Sequence, residues 1–189
     1  LLPKVERTWT QPISPYAASK LAGEGYMFGY QASYGLPTLV LRFFNVFGPW
    51  QRPDHDYAAV VPKWLWKTLT GKPIEVHGDG TQTRDFTYVD SVVDVLVDAL
   101  ERRVSFDSPV NLAFGQPISL LKILAKMQLV TGLAPEVKFI AERIGDVKHS
   151  ENDPTLLRQV FPEVEPVDFD HALSQTNNWL MQEARNLKT

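Results

Sequence analysis

The stretch PISPYAASKLAGE, residues 12–24, is the part of this sequence that decides the fold. Ser14 followed by Pro15 indicates a helix start, because a serine hydroxyl caps free backbone N–H groups and proline lacks the N–H that the first turn leaves unbonded. Tyr16 and Lys20 are four residues apart and therefore share one helix face. A nearby ammonium favours the phenolate form of a phenol, so the pair predicts an acid and base couple. Ordinary exposed helices also carry Tyr and Lys at this spacing, and the rest of the sequence must decide between the two interpretations.

The composition is that of an ordinary globular protein. Of 189 residues, 44% are hydrophobic and 22% are charged, and the formal net charge is −3. A mildly acidic chain gives no reason to expect nucleic acid or a membrane surface as a partner. The sequence has no cysteine, which is compatible with a cytoplasmic location. Its four histidines are scattered singly without the spacing of ligand pairs, so no metal site is predicted.

Helix and strand signals alternate along the chain and predict an α/β fold. The predicted helices cover residues 14–34, 58–70, 90–102 and 119–131, together with a C-terminal helix that starts at Asp168. The predicted strands cover residues 38–44, 74–77, 84–89, 110–113 and 137–140. The apolar run at 38–44 predicts a strand buried on both faces, whereas the alternation at 84–89 predicts an edge or half-buried strand. Asp90 is predicted to cap the helix that follows it.

Gly23, Gly25 and Gly29 lie inside the first helix and follow no strand, so they do not predict a nucleotide-binding turn. Small residues in that position predict close packing of the helix on a neighbour. We therefore expect the Gly-rich turn of a dinucleotide-binding domain, if the protein uses one, upstream of Leu1.

Three polar clusters lie on predicted loops, at residues 42–49, 78–85 and 143–150. Asn45 is expected at the carboxyl end of a strand, the usual ligand side of an open α/β sheet. Two arginines on separate loops, Arg84 and Arg143, suit a diphosphate that guanidinium groups bind in a bidentate manner. An Asp beside one of them suits the hydroxyls of a ribose. Taken alone, each cluster is better explained as a surface Arg–Asp ion pair at a turn.

Taken together, five segments resemble the extended short-chain dehydrogenase/reductase superfamily. They are SPYAASK at 14–20, RFFNVFGP at 42–49, YAAVVPK at 57–63, GDGTQTRDFTYVD at 78–90 and RIGDVKHS at 143–150. Within that superfamily the chain resembles the NAD-dependent nucleotide-sugar epimerases and dehydratases, and UDP-N-acetylglucosamine 4-epimerases in particular.

The resemblance implies the C-terminal portion of an NAD(P)-binding Rossmann-like fold with a smaller α/β substrate domain. Residues 1–50 would be a remnant of the dinucleotide-binding domain. Residues 51–189 would mainly form the substrate domain, with 84–113 returning to the Rossmann sheet. The resemblance also implies a homodimer in which the Tyr16 helix packs on its copy, and the face of Met27, Tyr30 and Tyr34 suits that contact.

The resemblance implies NAD as cofactor and a UDP-sugar as substrate. Tyr16 would take the proton of the sugar 4-hydroxyl while the nicotinamide accepts hydride from C4. Lys20 would bind the nicotinamide ribose and favour the phenolate of Tyr16, and Phe44 would lie beside the nicotinamide. Hydride return to the other face of the 4-keto sugar completes the epimerisation.

The resemblance also implies the residues that bind the UDP-sugar. The diphosphate would be held by Asn45, Lys63, Arg84 and Arg143, the uracil flanked by Ala59 and Val60, and the ribose contacted by Asp146. Ser150 matches a position where a small residue leaves room for a 2-N-acetyl group. This favours UDP-GlcNAc and UDP-GalNAc, with UDP-glucose and UDP-galactose as the alternative pair. Ser150 also suits the simpler role of a helix cap near Asp153.

Two other interpretations remain open. The first is a nucleotide-sugar 4,6-dehydratase or decarboxylase of the same superfamily, whose additional acid would lie upstream of Leu1. The second is an inactive fragment that at most binds a UDP-sugar. Such a fragment is expected to expose apolar strand edges.

Overall fold

The computed structural model describes residues 2–54, 58–142 and 147–186. Among these residues it has six helices: α1 (Pro15–Tyr34), α2 (Val60–Leu69), α3 (Val89–Glu101), α4 (Leu120–Thr131), α5 (Thr155–Val160) and α6 (Phe169–Asn186). The same residues form eight short strands: β1 (Leu41–Phe43), β2 (Val46–Phe47), β3 (Ile74–His77), β4 (Thr83–Asp85), β5 (Thr87–Tyr88), β6 (Val110–Leu112), β7 (Pro117–Ser119) and β8 (Val137–Ile140). None of the helices is long and apolar enough to cross a membrane.

The strands pair two by two, and three of the four pairs are parallel. β1 lies parallel to β6, β2 to β5 and β3 to β8, whereas β4 and β7 are antiparallel. Parallel strands need long crossover connections, and the chain between the members of each parallel pair contains at least one helix. This arrangement confirms the predicted α/β class.

The helix starts and ends follow the sequence signals closely. The Ser14 hydroxyl accepts a hydrogen bond from the N–H of Ala17 at 3.1 Å, and α1 ends at Gly35 with a left-handed φ of 65°. α4 repeats the pattern, with Ser119 as its cap and Gly132 at φ 67°. Glycine adopts this conformation without the steric cost that a Cβ would add. Both predicted helices are therefore confirmed.

The predicted burial of the strand at 38–44 on both faces is wrong. β1 is shorter than the predicted run 38–44, and Phe43 at its end is 56% exposed because no described element covers that side of the strand. The stretch 84–89 agrees better with its prediction as an edge or half-buried strand, although it is divided into β4 and β5. Asp85, Thr87 and Tyr88 are buried and the other three residues are half-buried, and each of the two strands belongs to a two-stranded sheet among the described residues.

The predicted cap of α3 is also wrong. The helix begins at Val89 after Tyr88, which makes no capping hydrogen bond through its side chain, and Asp90 lies inside the first turn. A carboxylate there still interacts favourably with the positive end of the helix dipole. Asp90 therefore contributes through charge instead of through a capping hydrogen bond.

Two hydrophobic cores hold the described residues together. The first core joins α2, α4 and α6 and contains Val61, Leu65, Ile123, Met127, Leu173 and Leu180, all fully or almost fully buried. The second lies against β6 and joins α3 to α5, with Val92, Val95, Val110, Leu112, Leu157 and Phe161. Residues on α1 contribute to neither core, since that helix has no buried residue.

A glycine sets the distance between the loop after β2 and the start of α3. A Cβ atom on Gly48 would overlap Cγ1 of Val89. The loop after β2 can therefore lie directly against the start of α3.

Candidate active site

Tyr16 and Lys20 lie side by side near the start of α1. The Nζ atom of Lys20 is 5.3 Å from the centre of the Tyr16 ring, as the four-residue spacing predicts. Tyr16 is 72% exposed, so a molecule that docks against this end of α1 can reach both the phenol and the ammonium.

Polar contacts attach α1 to β1. Its half-buried positions recur at helical spacing and are Ala17, Leu21, Glu24, Phe28 and Gln31. Glu24 accepts two hydrogen bonds from Arg42 of β1, at 2.8 Å from Nε and 2.7 Å from Nη2. The Thr38 hydroxyl donates to Gln31 at 2.8 Å. One face of α1 is therefore fixed to the sheet, and the opposite faces are exposed.

Asn45 projects from the end of β1 toward β4. It has a left-handed φ of 39°, a conformation that asparagine tolerates better than most residues. Its side-chain N–H donates to the carbonyl of Asp85 at 2.8 Å. Phe44, the residue before it, is half-buried.

The loop after β1, the start of α2 and strands β3 and β4 surround one cleft of about 300 Å³. This volume is near the lower end of the roughly 300–1,000 Å³ that is usual for ligand pockets. The lining includes five of the residues that the resemblance implies for the substrate: Asn45, Ala59, Val60, Lys63 and Arg84. Residues from three separate motifs therefore meet in one cleft.

The cleft is positively charged. Lys63 makes no ion pair with a described residue, and the nearby Lys67 lies 3.5 Å from Glu75. Arg84 donates through Nη1 to the carbonyl of Thr83 at 2.8 Å. The first N–H groups of α2 lack a side-chain cap and add the positive end of a helix dipole. The lining therefore has more cationic than anionic side chains, with Lys63, Lys67 and Arg84 against Glu75.

The remaining predicted substrate residues have different outcomes. Ser150 is buried next to β4, and its N–H donates to the carbonyl of Thr83 at 3.0 Å. Its alternative role as a cap is wrong, because the Asp153 carboxylate accepts the Thr155 N–H at 2.9 Å where α5 begins. Arg143 and Asp146 lie outside the described residues.

His77 and Gln82 also line the cleft, and the sequence interpretation did not select either of them. His77 ends β3, which pairs in parallel with β8, so both strands end at the same edge. The His77 ring nitrogen Nδ1 lies 3.1 Å from the carbonyl of Ala141, just after β8. The rule that ligands bind at the carboxyl ends of parallel strands would have selected His77, had the pairing of β3 with β8 been known.

A buried carboxylate lies beneath the cleft. Asp85 is fully buried, and its oxygens accept the backbone N–H groups of Gly115 at 3.0 Å, Asn152 at 3.2 Å and Gln116 at 3.4 Å. Burial raises the pKa of Asp85, while these hydrogen bonds act in the opposite direction. The group therefore connects β4 to two other segments of the chain.

Comparisons with known proteins agree on one family of enzymes. The family model described as NAD dependent epimerase/dehydratase family matches residues 2–113. The UDP-glucuronate 4-epimerase of Thermodesulfobacterium geofontis is 31% identical over 179 residues, which are 94% of this chain and 54% of that protein. A UDP-N-acetyl-alpha-D-glucosaminuronate decarboxylase of Bacillus cytotoxicus is 27% identical over 173 residues, covering 88% of this chain and 53% of its own. The chain spans about half the length of the curated relatives it matches.

Solved structures share the fold over nearly the whole chain. The UDP-N-acetylglucosamine 4-epimerase from Methanobrevibacter ruminantium, in complex with UDP-N-acetylmuramic acid, has a TM-score of 0.89 and 34% identity, over 96% of this chain and 58% of that one. The UDP-glucuronic acid 4-epimerase from Bacillus cereus, in complex with UDP-glucuronic acid and NAD, has a TM-score of 0.85 and 29% identity, over 95% and 56%. The predicted fold class is confirmed.

Proposed function

The chain belongs to the NAD-dependent epimerase/dehydratase family, and on that premise we propose that it carries the substrate-binding part of a UDP-sugar 4-epimerase. One observation carries the proposal: Asn45, Lys63 and Arg84, which lie far apart in the sequence, line a single cleft. Two cations beside a helix start suit a diphosphate, because phosphate oxygens accept hydrogen bonds from guanidinium, ammonium and backbone N–H groups alike.

The proposed binding mode uses each wall of the cleft for one part of UDP. Arg84 and Lys63 bind the diphosphate, and the Asn45 amide donates beside them. Ala59 and Val60 provide a small apolar surface for the uracil at the start of α2. Arg143 and Asp146 remain predictions for the diphosphate and the ribose.

The catalytic roles of Tyr16 and Lys20 are also part of the proposal. Their exposed positions on one side of α1 fit one wall of a nicotinamide site, with Phe44 as the further predicted neighbour. NAD, when bound, supplies a hydride acceptor for the sugar C4 and returns the hydride afterwards. Tyr16 exchanges the proton of the 4-hydroxyl, and Lys20 holds the nicotinamide ribose and favours the phenolate.

A division of the chain into two domains is also part of the proposal. We propose that residues 1–50 belong to the dinucleotide-binding domain and residues 51–189 mainly to the substrate domain, with 84–113 returning to the first. The pairing of β6 with β1 and of β5 with β2 supports the return, since both pairs join strands from the two sides of residue 50.

The proposed substrates are UDP-GlcNAc and UDP-GalNAc. A small side chain at Ser150 leaves room for a 2-N-acetyl group, although UDP-glucose and UDP-galactose would fit as well. A dehydratase or decarboxylase is the second candidate, because the Bacillus cytotoxicus decarboxylase is among the relatives. An inactive UDP-sugar-binding chain is the third.

A homodimer through α1 completes the proposal. Met27, Tyr30 and Tyr34 form an exposed aromatic and apolar face, with Tyr30 and Tyr34 in contact at 5.5 Å between ring centres. An added Cβ at Gly25 or Gly29 would meet no atom within 4 Å. The predicted close packing at these glycines therefore requires a surface from outside the described residues, and a second copy would provide it.

Calorimetric titration with UDP tests the cleft. We expect the wild-type protein to bind UDP and Lys63→Ala to weaken binding about tenfold, since a charge-assisted contact to phosphate is lost. Lys122→Ala is the matched control, because Lys122 is an exposed lysine of α4 outside this cleft. Equal affinity of both variants would contradict the assignment of Lys63.

The reaction is tested with a protein that carries this chain at the full length of its relatives. With NAD present, we expect interconversion of UDP-GlcNAc and UDP-GalNAc, and we expect Tyr16→Phe to abolish it. Epimers have the same mass, so a product that is lighter by one water would identify a dehydratase instead. A decarboxylase needs a sugar with a carboxylate, and it is tested by the loss of CO2 from UDP-N-acetylglucosaminuronic acid. Bound UDP without any turnover would support the inactive chain.

A further inference from the structure

Asp85 is the point at which four parts of the chain meet beneath the cleft. Its carboxylate accepts N–H groups from the segment after β6, at Gly115 and Gln116, and from Asn152. Its backbone carbonyl accepts the side chain of Asn45, a cleft residue. Its neighbour in β4 is Arg84, which lines the same cleft.

The segment 147–152 runs beside β4 and is fixed at both ends of that strand. At the first end, the Thr83 N–H donates to Lys148 and the Ser150 N–H donates to Thr83, both at 3.0 Å. Arg84 contacts the same segment through the Lys148 carbonyl at 3.3 Å. At the other end the bond from Asn152 to Asp85 closes the arrangement. The position of the arginine therefore depends on the register between β4 and this segment.

The surroundings of Asp85 leave little freedom for a replacement. The side chain of Asn152 donates to the Ala113 carbonyl at 2.9 Å and accepts from Asn111 at 2.9 Å, so the segment is bonded on both sides. Gly115 has a left-handed φ of 71°, and a Cβ there would lie 3.1 Å from the Asn152 carbonyl. Three N–H groups converge on one carboxylate, a set that a neutral amide cannot satisfy because one of its two ends is itself a donor.

We propose that Asp85 is a positioning residue for nucleoside diphosphate binding: its buried carboxylate holds segment 147–152 and the 115–116 turn against β4, and so keeps Arg84 and Asn45 in the arrangement that binds the diphosphate. The inference rests on the proposed function of the cleft. It concerns a residue that does not line the cleft itself.

Asp85→Asn keeps the size of the side chain and removes one acceptor. We expect it to raise the dissociation constant for UDP about tenfold, with the protein still folded, because one N–H group facing the amide loses its partner. Asp79→Asn is the control in the same β3–β4 connection. The Asp79 carboxylate is exposed and bonds only locally to Thr81, at 2.9 Å to the N–H, so UDP affinity should not change.

A purely structural role predicts a different result. If Asp85→Asn lowers the midpoint of thermal unfolding but binds UDP as the wild type does at a temperature where both are folded, the proposal is overturned. Asp85→Glu keeps a carboxylate at this position, but we do not expect it to restore wild-type affinity for UDP. The longer side chain displaces the same three N–H groups.

Amide hydrogen exchange separates this proposal from the proposed function and needs no variant. We expect UDP to slow exchange at the N–H groups of Gly115, Gln116 and Asn152, which the carboxylate couples to the cleft. UDP binding without any change at these three amides would overturn the inference while leaving the proposed function intact. If the wild type binds no UDP at all, both the cleft assignment and this role of Asp85 are wrong.

Discussion

The helix α1 and the core formed by α2, α4 and α6 are both helical, yet they are held in opposite ways. α1 has 20 residues and none of them is buried, whereas Leu65, Met127 and Leu180 of the core are fully buried. α1 depends on its contacts from Glu24 to Arg42 and from Gln31 to Thr38. The comparison teaches that the proposed catalytic pair lies on an element positioned by a few polar contacts, whereas the proposed substrate cleft lies on a packed core.

Two methionines test the comparison with the largest expected effect. Met127→Ala should lower the free energy of unfolding by about 2–5 kcal/mol, because it leaves a cavity in a filled core. Met27→Ala removes a side chain that is 40% exposed on α1 and should change stability by less than about 0.5 kcal/mol. Urea unfolding of both variants measures the difference. Similar losses of unfolding free energy in the two variants would show that α1 is buried in solution, for instance against a second copy of the chain.

The arginine of β1 should have the next largest effect. Arg42→Ala removes both hydrogen bonds to Glu24, whose side chain is only 16% exposed. We expect the free energy of opening of α1, measured by amide exchange, to fall by about 1.5–3 kcal/mol, the range for hydrogen bonds to charged groups.

Arg52→Ala is the control for this variant. Arg52 pairs with Asp54 at 2.9 Å, but its side chain is 77% exposed, and exposed pairs contribute about 0–1 kcal/mol. If Arg42→Ala leaves exchange in α1 unchanged, the helix is held by something other than its contact with Glu24.

The serine caps of α4 and α1 should have smaller effects that still differ between the core and α1. Ser119→Ala should lower the global free energy of unfolding by about 1 kcal/mol, because α4 belongs to the core. Ser14→Ala removes the equivalent bond to Ala17 but should appear as faster exchange in the first turn of α1, with the global value unchanged. An equal global loss in both variants would mean that α1 unfolds together with the core.

The smallest expected effect is a pH dependence of the unfolding free energy that comes from the buried carboxylate of Asp85. Burial raises the pKa of Asp85 above its ordinary value of 3.8. The stability that this group contributes is therefore present below that value and is lost as the pH rises through the higher folded pKa. As the pH rises from about 4, the unfolding free energy of the wild type should fall relative to that of Asp85→Asn, until the carboxylate is ionised in the folded protein as well.

The exposed Asp79 supplies the opposite sign. Hydrogen bonds from Thr81 lower the pKa of Asp79, so its contribution is present above the ordinary value and is lost as the pH falls. Below about pH 4, the unfolding free energy of the wild type should therefore fall relative to that of Asp79→Asn as the pH decreases. A difference between wild type and Asp85→Asn that stays constant as the pH rises above about 4 would contradict the upward shift of the Asp85 pKa.

Local signals predicted the helices well, whereas burial depended on partners distant in sequence. Ser14 and Gly35 mark the two ends of α1 because capping acts within a few residues. The exposure of Phe43 and the burial of Asp85 could not be predicted in this way, since each depends on which strands and loops lie alongside.

The residues of the candidate site show the same difference between local sequence signals and pairing over long sequence distances. The motifs around Asn45, Lys63 and Arg84 selected residues that line one cleft. His77 was missed because its place at the cleft edge follows from the parallel register of β3 and β8, which no local pattern encodes. The roles of all these residues, and those of Tyr16 and Lys20, remain predictions.

The parallel pairing of β1 with β6 also bears on how the chain is made. Leu41 pairs with Val110, so at a synthesis rate of about 5–20 residues per second the partner strand follows roughly 3–14 s later. During that interval β1 cannot form this pairing, and its unpaired backbone N–H and C=O groups are available to other nascent chains. Slowing translation between the two strands should therefore lower the yield of native protein from a ribosome, whereas the same delay after residue 152, when every described strand has its partner, should lower it less.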